Sequence, residues 1–373
     1  MNEDPRPPRR SPIPRLLLAL CALLVAGCAG PGLASAQSPG WNGAILELDA
    51  GWYATPQARD IADAVVKHQS PEGGWPKNTS LIVPPDEAPV DDGLKNTFDN
   101  QATTLPMAFL ARIIRADERP GDRAAFDRGL DYVLAAQYPN GGWPQFYPLR
   151  RGYWSHITFN DDAMIRIMVL LRDIATGAPP YEFVDAGRRA RAAEAVTRGT
   201  RLILSTQIRQ NGELTAWCAQ YDEETLEPAW ARAYEPPSLS GSESVGIVRF
   251  LMSIPDPAPE VITAVEAAVR WFEASAIHGV RFETATAGDG RADARLVPDP
   301  DAGPLWARFY ELESNRPIFL SRDSVVHYEI TGIERERRTG YRYYGTWRQA
   351  LIRDAYPEWR RKIEAARASS PAT

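Results

Sequence analysis

Apolar residues recur at helical spacing along most of the chain. In the stretch 161–174, Ile165, Met168, Val169 and Leu171 share one face of a 3.6-residue turn. The same periodicity predicts helices over 57–68, 99–114, 123–137, 190–207, 242–252 and 260–274. Punctuating them is a repeated turn. Gln69 to Lys77, with Gly73-Gly74-Trp75-Pro76, matches Gln137 to Gln145, with Gly141-Gly142-Trp143-Pro144, and a degenerate third copy runs from Gln207 to Trp217. The glutamines lie 68 and 70 residues apart, a period that holds two helices and their loops. Each part of the turn has a reason. Glycine takes backbone angles that end a helix, proline stops it from continuing, and tryptophan anchors the loop through a large apolar area. Repeated helical hairpins predict a mainly α fold: a toroid of paired helices, open at the middle, over about 43–275.

The period fades beyond that. From about 276 to 346 short extended pieces at 325–328 and 341–344 predict an irregular region with a few short strands, and 347–366 reads as a charged closing helix. At the other end, Arg6, Arg9, Arg10 and Arg15 precede the apolar run Leu16 to Val25, which is too short to span a bilayer and has the form of an export leader. Val25-Ala26-Gly27-Cys28 resembles a bacterial lipobox, which would place a lipid anchor on Cys28; ordinary cleavage after Ala34-Ser35-Ala36 is the rival. Residues 29–42, rich in Gly, Ser and Ala, read as a flexible tether. Either cleavage gives an exported protein, and Cys218, alone beyond the leader, allows no internal disulfide framework. The formal charge is −6, and residues 1–36 carry four Arg against two acidic residues, so their loss leaves −8. Such a chain is not built to bind nucleic acid, and an acidic ligand would need a local cluster of Arg and Lys.

The candidate chemistry sits at the repeats. Thr97-Phe98-Asp99-Asn100 and Thr158-Phe159-Asn160-Asp161-Asp162 are two copies of one pattern at the expected start of a helix. Helix capping is the plain explanation. Repetition, and two adjacent carboxylates where one cap suffices, point instead to oxygen ligands for a hard cation such as Ca²⁺. A second candidate is the aromatic stretch 306–323, which carries Arg308, Arg316 and Arg322. Its Trp306-Ala-Arg308-Phe-Tyr310 echoes Trp230-Ala-Arg232-Ala-Tyr234, and arginine binds carboxylates bidentately. Among 11 Trp and 14 Tyr, Trp75, Trp143 and Trp154 could stack on sugar rings, with core packing the alternative for each. His156 stands close to Thr158, but no histidine pair has metal-ligand spacing and no HExxH or GxSxG is present. Cys218 reads as packing.

Taken together and in order, GGWPKN, TFDNQATT, GGWPQFYPL, HITFNDDAM and WARFYELESNRPIF resemble the family 10 pectate lyases, from about Trp41 to Trp359. The resemblance implies an (α/α)₃ toroid-like helical region, a smaller mixed α/β region and a cleft between them. It implies cleavage of polygalacturonate by calcium-dependent β-elimination. Nothing in the sequence signals an interface, so a monomer is expected. Mapped by motif, Asn100 and Asp161 fall at the calcium, Asp99 beside them at the substrate carboxylate, Arg232 and Arg308 on uronate carboxylates, and Arg322 at the proton-abstracting arginine. Near Arg322 the chain has Ser321 and Ser324 where the family has glycine. An arginine base is chemically demanding, because guanidinium stays protonated unless neighbouring cations lower its pKa. Lys77, on a repeated turn facing the expected cleft, is the rival base or a substrate contact. Three other readings use the same residues. The Gln/Gly/Trp spacing resembles the repeats of triterpene cyclases. Asp99 with Asp161 could act as a hydrolase pair. A non-catalytic polyuronate-binding lipoprotein would keep the aromatics and arginines.

Overall fold

The computed structural model describes residues 39–87 and 90–369. The expected leader, the lipobox and most of the tether lie outside the described residues. Where the tether was expected to end, Trp41 packs edge-on against Phe109, with ring centroids 5.7 Å apart.

The helices are α1 (Pro56–Lys67), α2 (Thr104–Ala116), α3 (Pro120–Ala135), α4 (Ala163–Thr176), α5 (Ala186–Ser205), α6 (Glu243–Met252) and α7 (Pro259–Ala274). Helix α4 packs on both α2 and α6, while α1, α3, α5 and α7 contact one another in chain order outside them. Burial follows this division. Inner helix α4 buries Met164, Ile165, Ile167, Met168, Leu170, Leu171 and Ile174, more than one face can hold. Outer helix α5 buries Ala192, Ala195, Gly199, Leu202 and Ile203, a single stripe at three- and four-residue spacing. Proline at the first turn opens α1, α3 and α7, and the Asp185 side chain caps α5 at Arg188 N, 2.9 Å.

The turn repeat is a fastening device. Gln69 Nε2 donates to Gly73 O (2.9 Å) and to Ala125 O on α3 (2.8 Å). Gln137 donates to Gly141 O (3.0 Å) and to Ala195 O on α5 (2.9 Å). Gln207 donates to Thr215 O (2.9 Å) and to Ala264 O on α7 (2.9 Å). Each amide thus closes its own turn and bolts it to the next outer helix. The tryptophans point inward, with Trp75, Trp143 and Trp217 donating to Val65 O, Val133 O and Ile203 O at 2.7–2.8 Å. Trp75 and Trp143 are therefore core residues, and the sugar-stacking option is closed for both, since neither exposes more than 1% of its surface. Gly73 and Gly141 take φ of 109° and 102°, which only glycine adopts without strain.

One short antiparallel ladder ties the later region to the helical one, and a second lies within the later region. Leu239–Ser240 pairs with Phe309–Tyr310, and Trp306–Ala307 pairs with Tyr344–Gly345. The regular hairpin Val280–Thr286/Ala292–Pro298 is an element the irregular reading omitted. Its signal was present: alternating residues around Asp289-Gly290, with Gly290 at φ 79°. The closing helix begins later than expected, as a π-turn at Leu351–Ala355 followed by Tyr356–Ser369. The residues before it are held instead by the buried Arg348, which donates to Gly241 O at 3.0 Å and Ser275 Oγ at 2.6 Å. No helix among the described residues is long and apolar enough to cross a membrane.

Candidate active site

The three inner helices begin with equivalent turns, and these turns meet. Thr103 Oγ1 accepts from Trp75 N (3.2 Å), as Ser244 Oγ accepts from Trp217 N (3.1 Å), so the heads of α2 and α6 occupy matching positions. Asp99–Gln101 before α2 packs against Asn160–Asp162 before α4, which in turn packs on α6. Asn100, Gln101, Asp161, Asp162, Arg166, Ser242 and Glu243 together line one hollow of about 300 Å³.

The Asp and Asn residues are not caps, because no side-chain cap bond is made at the head of α2 or α4. The chain instead takes two consecutive left-handed residues in each copy. Asn100 and Gln101 have φ of 50° and 64°, and Asp161 and Asp162 have 51° and 60°. Left-handed backbone costs a residue with a Cβ roughly 1–2 kcal/mol. Paid four times at one spot, that strain marks a place where backbone shape is subordinated to side-chain placement.

The walls are charged and closely coupled. Arg308 is nearly buried, and its guanidinium donates to Glu243 Oε1 (2.5 Å), Asn160 Oδ1 (3.1 Å) and Asp161 Oδ1 (3.4 Å). Burial opposes its charge, but Glu243, Tyr341 and Asp161 outweigh this and raise its pKa. Glu243 is 2% exposed and also accepts from Ser240 Oγ. Asp162 is pushed up to about 6 by desolvation and by Glu243 and Asp161, with Arg166 only 3.9 Å away in opposition. Its side chain is 41% exposed, on the concave side that Asn100, Asp161 and Glu243 also line. Gly246 completes the fit, since a Cβ there would collide with Asp162 Oδ1.

Beside the hollow, Lys77 Nζ donates to Asp99 Oδ2 at 2.6 Å, and Asp99 Oδ1 is buried without a partner. Beyond Arg308 runs a strip of stacked cations and phenols. Arg308 and Arg232 both lie over Tyr341, at 4.9 and 5.8 Å, and Arg337 and Arg322 lie over Tyr234, at 4.5 and 5.9 Å. Tyr234 and Tyr341 are themselves 5.1 Å apart. Arg232 is gripped by Glu235 through bonds of 2.7 and 2.5 Å. Burial raises the pKa of Tyr153, and the charges acting on that phenol are Arg232, Glu235 and Asp99. Arg322 is the outermost, 61% exposed, with Glu336 at 3.4 Å. Ser324, in its turn, holds φ 62°, so the positive angle expected of the family glycine is kept by a serine.

The structure thus brings Asn100, Asp161 and Arg308 to one hollow. It sets Asp99 and Lys77 on its rim, and Arg232 and Arg322 successively farther along the strip. Sequence reasoning missed Glu243, Ser242, Arg166, Glu235, Arg337 and Tyr341. The usable signal was Ser240-Gly-Ser-Glu243, the third copy of the helix-head turn, whose residue types diverge from the other two.

The hollow offers oxygen donors of the kind a hard cation takes: carboxylates from Asp161 and Asp162, an amide from Asn100 and the Ser242 hydroxyl, while both Glu243 oxygens are already engaged by Arg308 and Ser240. His156, Asp222 and Glu223 form a separate group with ligand atoms within 4.8 Å. There His156 Nδ1 already meets Glu223 at 2.8 Å, and Asp222 Oδ1 is occupied by the backbone N–H groups of Glu224 and Thr225.

A sequence profile of the pectic acid lyases matches residues 69–352. The chain belongs to the pectic acid lyase family. Its fold is similar to that of a family 10 polysaccharide lyase from Cellvibrio cellulosa, with TM-score 0.72, 37% identity, and 83% of this chain and 94% of that one covered. An aspartate-to-alanine mutant of that Cellvibrio lyase, in complex with trigalaturonic acid, matches with TM-score 0.72, 36% identity and coverage of 83% and 95%. No curated protein sequence matches the chain. The protein is therefore a family 10 polysaccharide lyase on an α/α toroid, and the cyclase and binding-only alternatives fall away. Hydrolysis falls with them: a lyase breaks the glycosidic bond without water, so Asp99 and Asp161 need not act as an acid–base pair.

Proposed function

We propose that this pectic acid lyase cleaves polygalacturonate by β-elimination with Ca²⁺ in the hollow. The reading rests on one observation: oxygen side chains from three equivalent helix heads converge there, closed on one side by Arg308. Asn100, Asp161 and Asp162 would hold the ion, with Glu243 fixing Arg308 behind them. When bound it would neutralise the uronate carboxylate and so make the neighbouring C5 proton more acidic. Lys77 and Asp99 orient the sugar at the rim. An arginine takes the proton from C5, the electron pair forms the C4–C5 double bond, the C4–O bond breaks, and the departing glycosyl oxygen is protonated.

Arg322 is the base that the family motif assigns. A second assignment is Arg232, because it shares the Tyr341 ring with Arg308 at the wall of the hollow, while Arg322 stands 61% exposed beside Glu336. The two separate in a single assay of ultraviolet absorbance from the unsaturated product. Arg322→Lys and Arg232→Lys are each compared with wild type, with and without EDTA. The variant that loses kcat across the whole pH range, with KM held, identifies the base. Reducing ends without absorbance, or activity indifferent to EDTA, would overturn the proposal. The leader-like segment and Cys28 extend it to an exported, lipid-anchored protein. Membrane fractionation of wild type and Cys28→Ser tests the anchor.

A further inference from the structure

Three backbone segments lie side by side at the rim. Thr97 bridges Phe146, Phe98 N–H donates to Gln145 O (3.0 Å), and Gln145 N–H donates to Trp154 O (3.0 Å). Trp154 therefore stands two strand spacings, roughly 10 Å, from the segment that carries Asp99. Its indole is 37% exposed, yet it is held firmly, edge-on to Phe146 at 6.2 Å and against Tyr153 at 5.1 Å. Phe146 is buried, with the Arg150 guanidinium 3.9 Å and Lys77 Nζ 5.3 Å from its ring centre. Arg150 donates to the carbonyls of Gly93 (2.7 Å) and Lys95 (3.0 Å). Among the described residues no carboxylate comes within ion-pair distance of it. An unneutralised guanidinium beside a rigid exposed indole is a notable combination in a chain of net charge −6.

We propose that Trp154 and Arg150 form an outer subsite for one further uronate of the bound chain, with the apolar face of the pyranose ring on the indole and its carboxylate on the guanidinium. The proposal rests on the polyuronate reading above and adds a direction to it. The chain leaves the hollow past Lys77 and Phe146 and continues toward residues 150–154. Lys77 thereby sits between two sugar positions, in contact with Asp99 on one side and with the Phe146 ring on the other.

The test compares kcat/KM for hexagalacturonate and trigalacturonate in wild type, Trp154→Ala and Trp154→Phe. The hexamer-to-trimer ratio is expected to fall about 10-fold in Trp154→Ala, the usual weight of a buried aromatic contact. Trp154→Phe should recover part of it. An unchanged ratio would overturn the subsite while leaving the lyase reading intact. Mobility in a polygalacturonate gel containing EDTA measures binding without turnover. Wild type should be retarded, and Trp154→Ala and Arg150→Met should both run faster. Equal retardation of all three would refute the subsite whatever the enzyme's activity. Retardation of wild type without activity on either oligomer would sink the elimination reading and leave the subsite standing.

Discussion

Arg308 offers the sharpest test of how the hollow is held together. In Arg308→Met the guanidinium is lost, and Glu243, at 2% exposure, keeps only Ser240 as a side-chain partner. Removing one side of a buried ion pair costs about 3–5 kcal/mol, because the remaining charge stays desolvated. A folded part of roughly 330 residues unfolds with an entropy of about 0.7 kcal/mol/K, so a loss of about 4 kcal/mol lowers Tm by about 6 °C. Glu243→Gln alone strands the guanidinium less severely, since Asn160 and Asp161 remain at 3.1 and 3.4 Å. The double variant Arg308→Met/Glu243→Gln leaves no buried charge unpaired. Its loss should therefore fall short of the sum of the single losses by about 2 kcal/mol, or roughly 3 °C. The measurement is a set of thermal unfolding scans in EDTA. Additive losses would refute the argument that mutual neutralisation closes this wall. Repeated in calcium, the Arg308→Met deficit should shrink, because an ion in the hollow serves the carboxylates that the arginine left.

Three further outcomes are expected. Asp161→Ala should lower kcat/KM on polygalacturonate by about 100-fold or more and abolish any calcium-induced rise in Tm, read by absorbance assay and thermal scan. Gly246→Ala should drive Asp162 out of position and cost about 10-fold in activity, while intrinsic fluorescence reports a folded protein. Asp162 carries a pH signature. Its folded pKa, about 6 against an ordinary 3.8, means that the native state holds a proton the unfolded chain has released. Its favourable contribution is complete below about pH 4 and disappears as the pH rises through about 6. In EDTA, wild type should lose more stability over that interval than Asp162→Asn, and parallel curves would contradict the shift.

Much of the architecture could be read from the chain, because the repeat is written in residues whose roles are local. Glutamine, glycine and tryptophan at fixed offsets specify a turn, and the turn predicts its flanking helices to within a few residues. The site was legible only where its copies kept their residue types. Asp99-Asn100 and Asn160-Asp161 look alike, so they could be paired by eye. Glu243 performs the matching task from a turn spelled Ser-Gly-Ser, which resembles an ordinary helix start, and nothing local says that its carboxylate is buried. The role of Arg308 depends on partners 147 and 65 residues away. Tyr341 and Arg337 reach the strip through contacts that no spacing encodes. The hairpin around Asp289-Gly290 was overlooked for a different reason: it buries little, so its alternation is not carried by strongly apolar residues.

The paired left-handed residues at the heads of α2 and α4 have an evolutionary consequence. Gln101 and Asp162 hold angles that glycine would occupy with less strain. A selection for heat tolerance alone would drift toward glycine at both positions, hardening the scaffold while blunting the catalyst. Resistance to inactivation and turnover are thus set against each other by the same few torsions. A lineage that needs both must find its extra robustness elsewhere, most readily in the glutamine bolts between the outer helices.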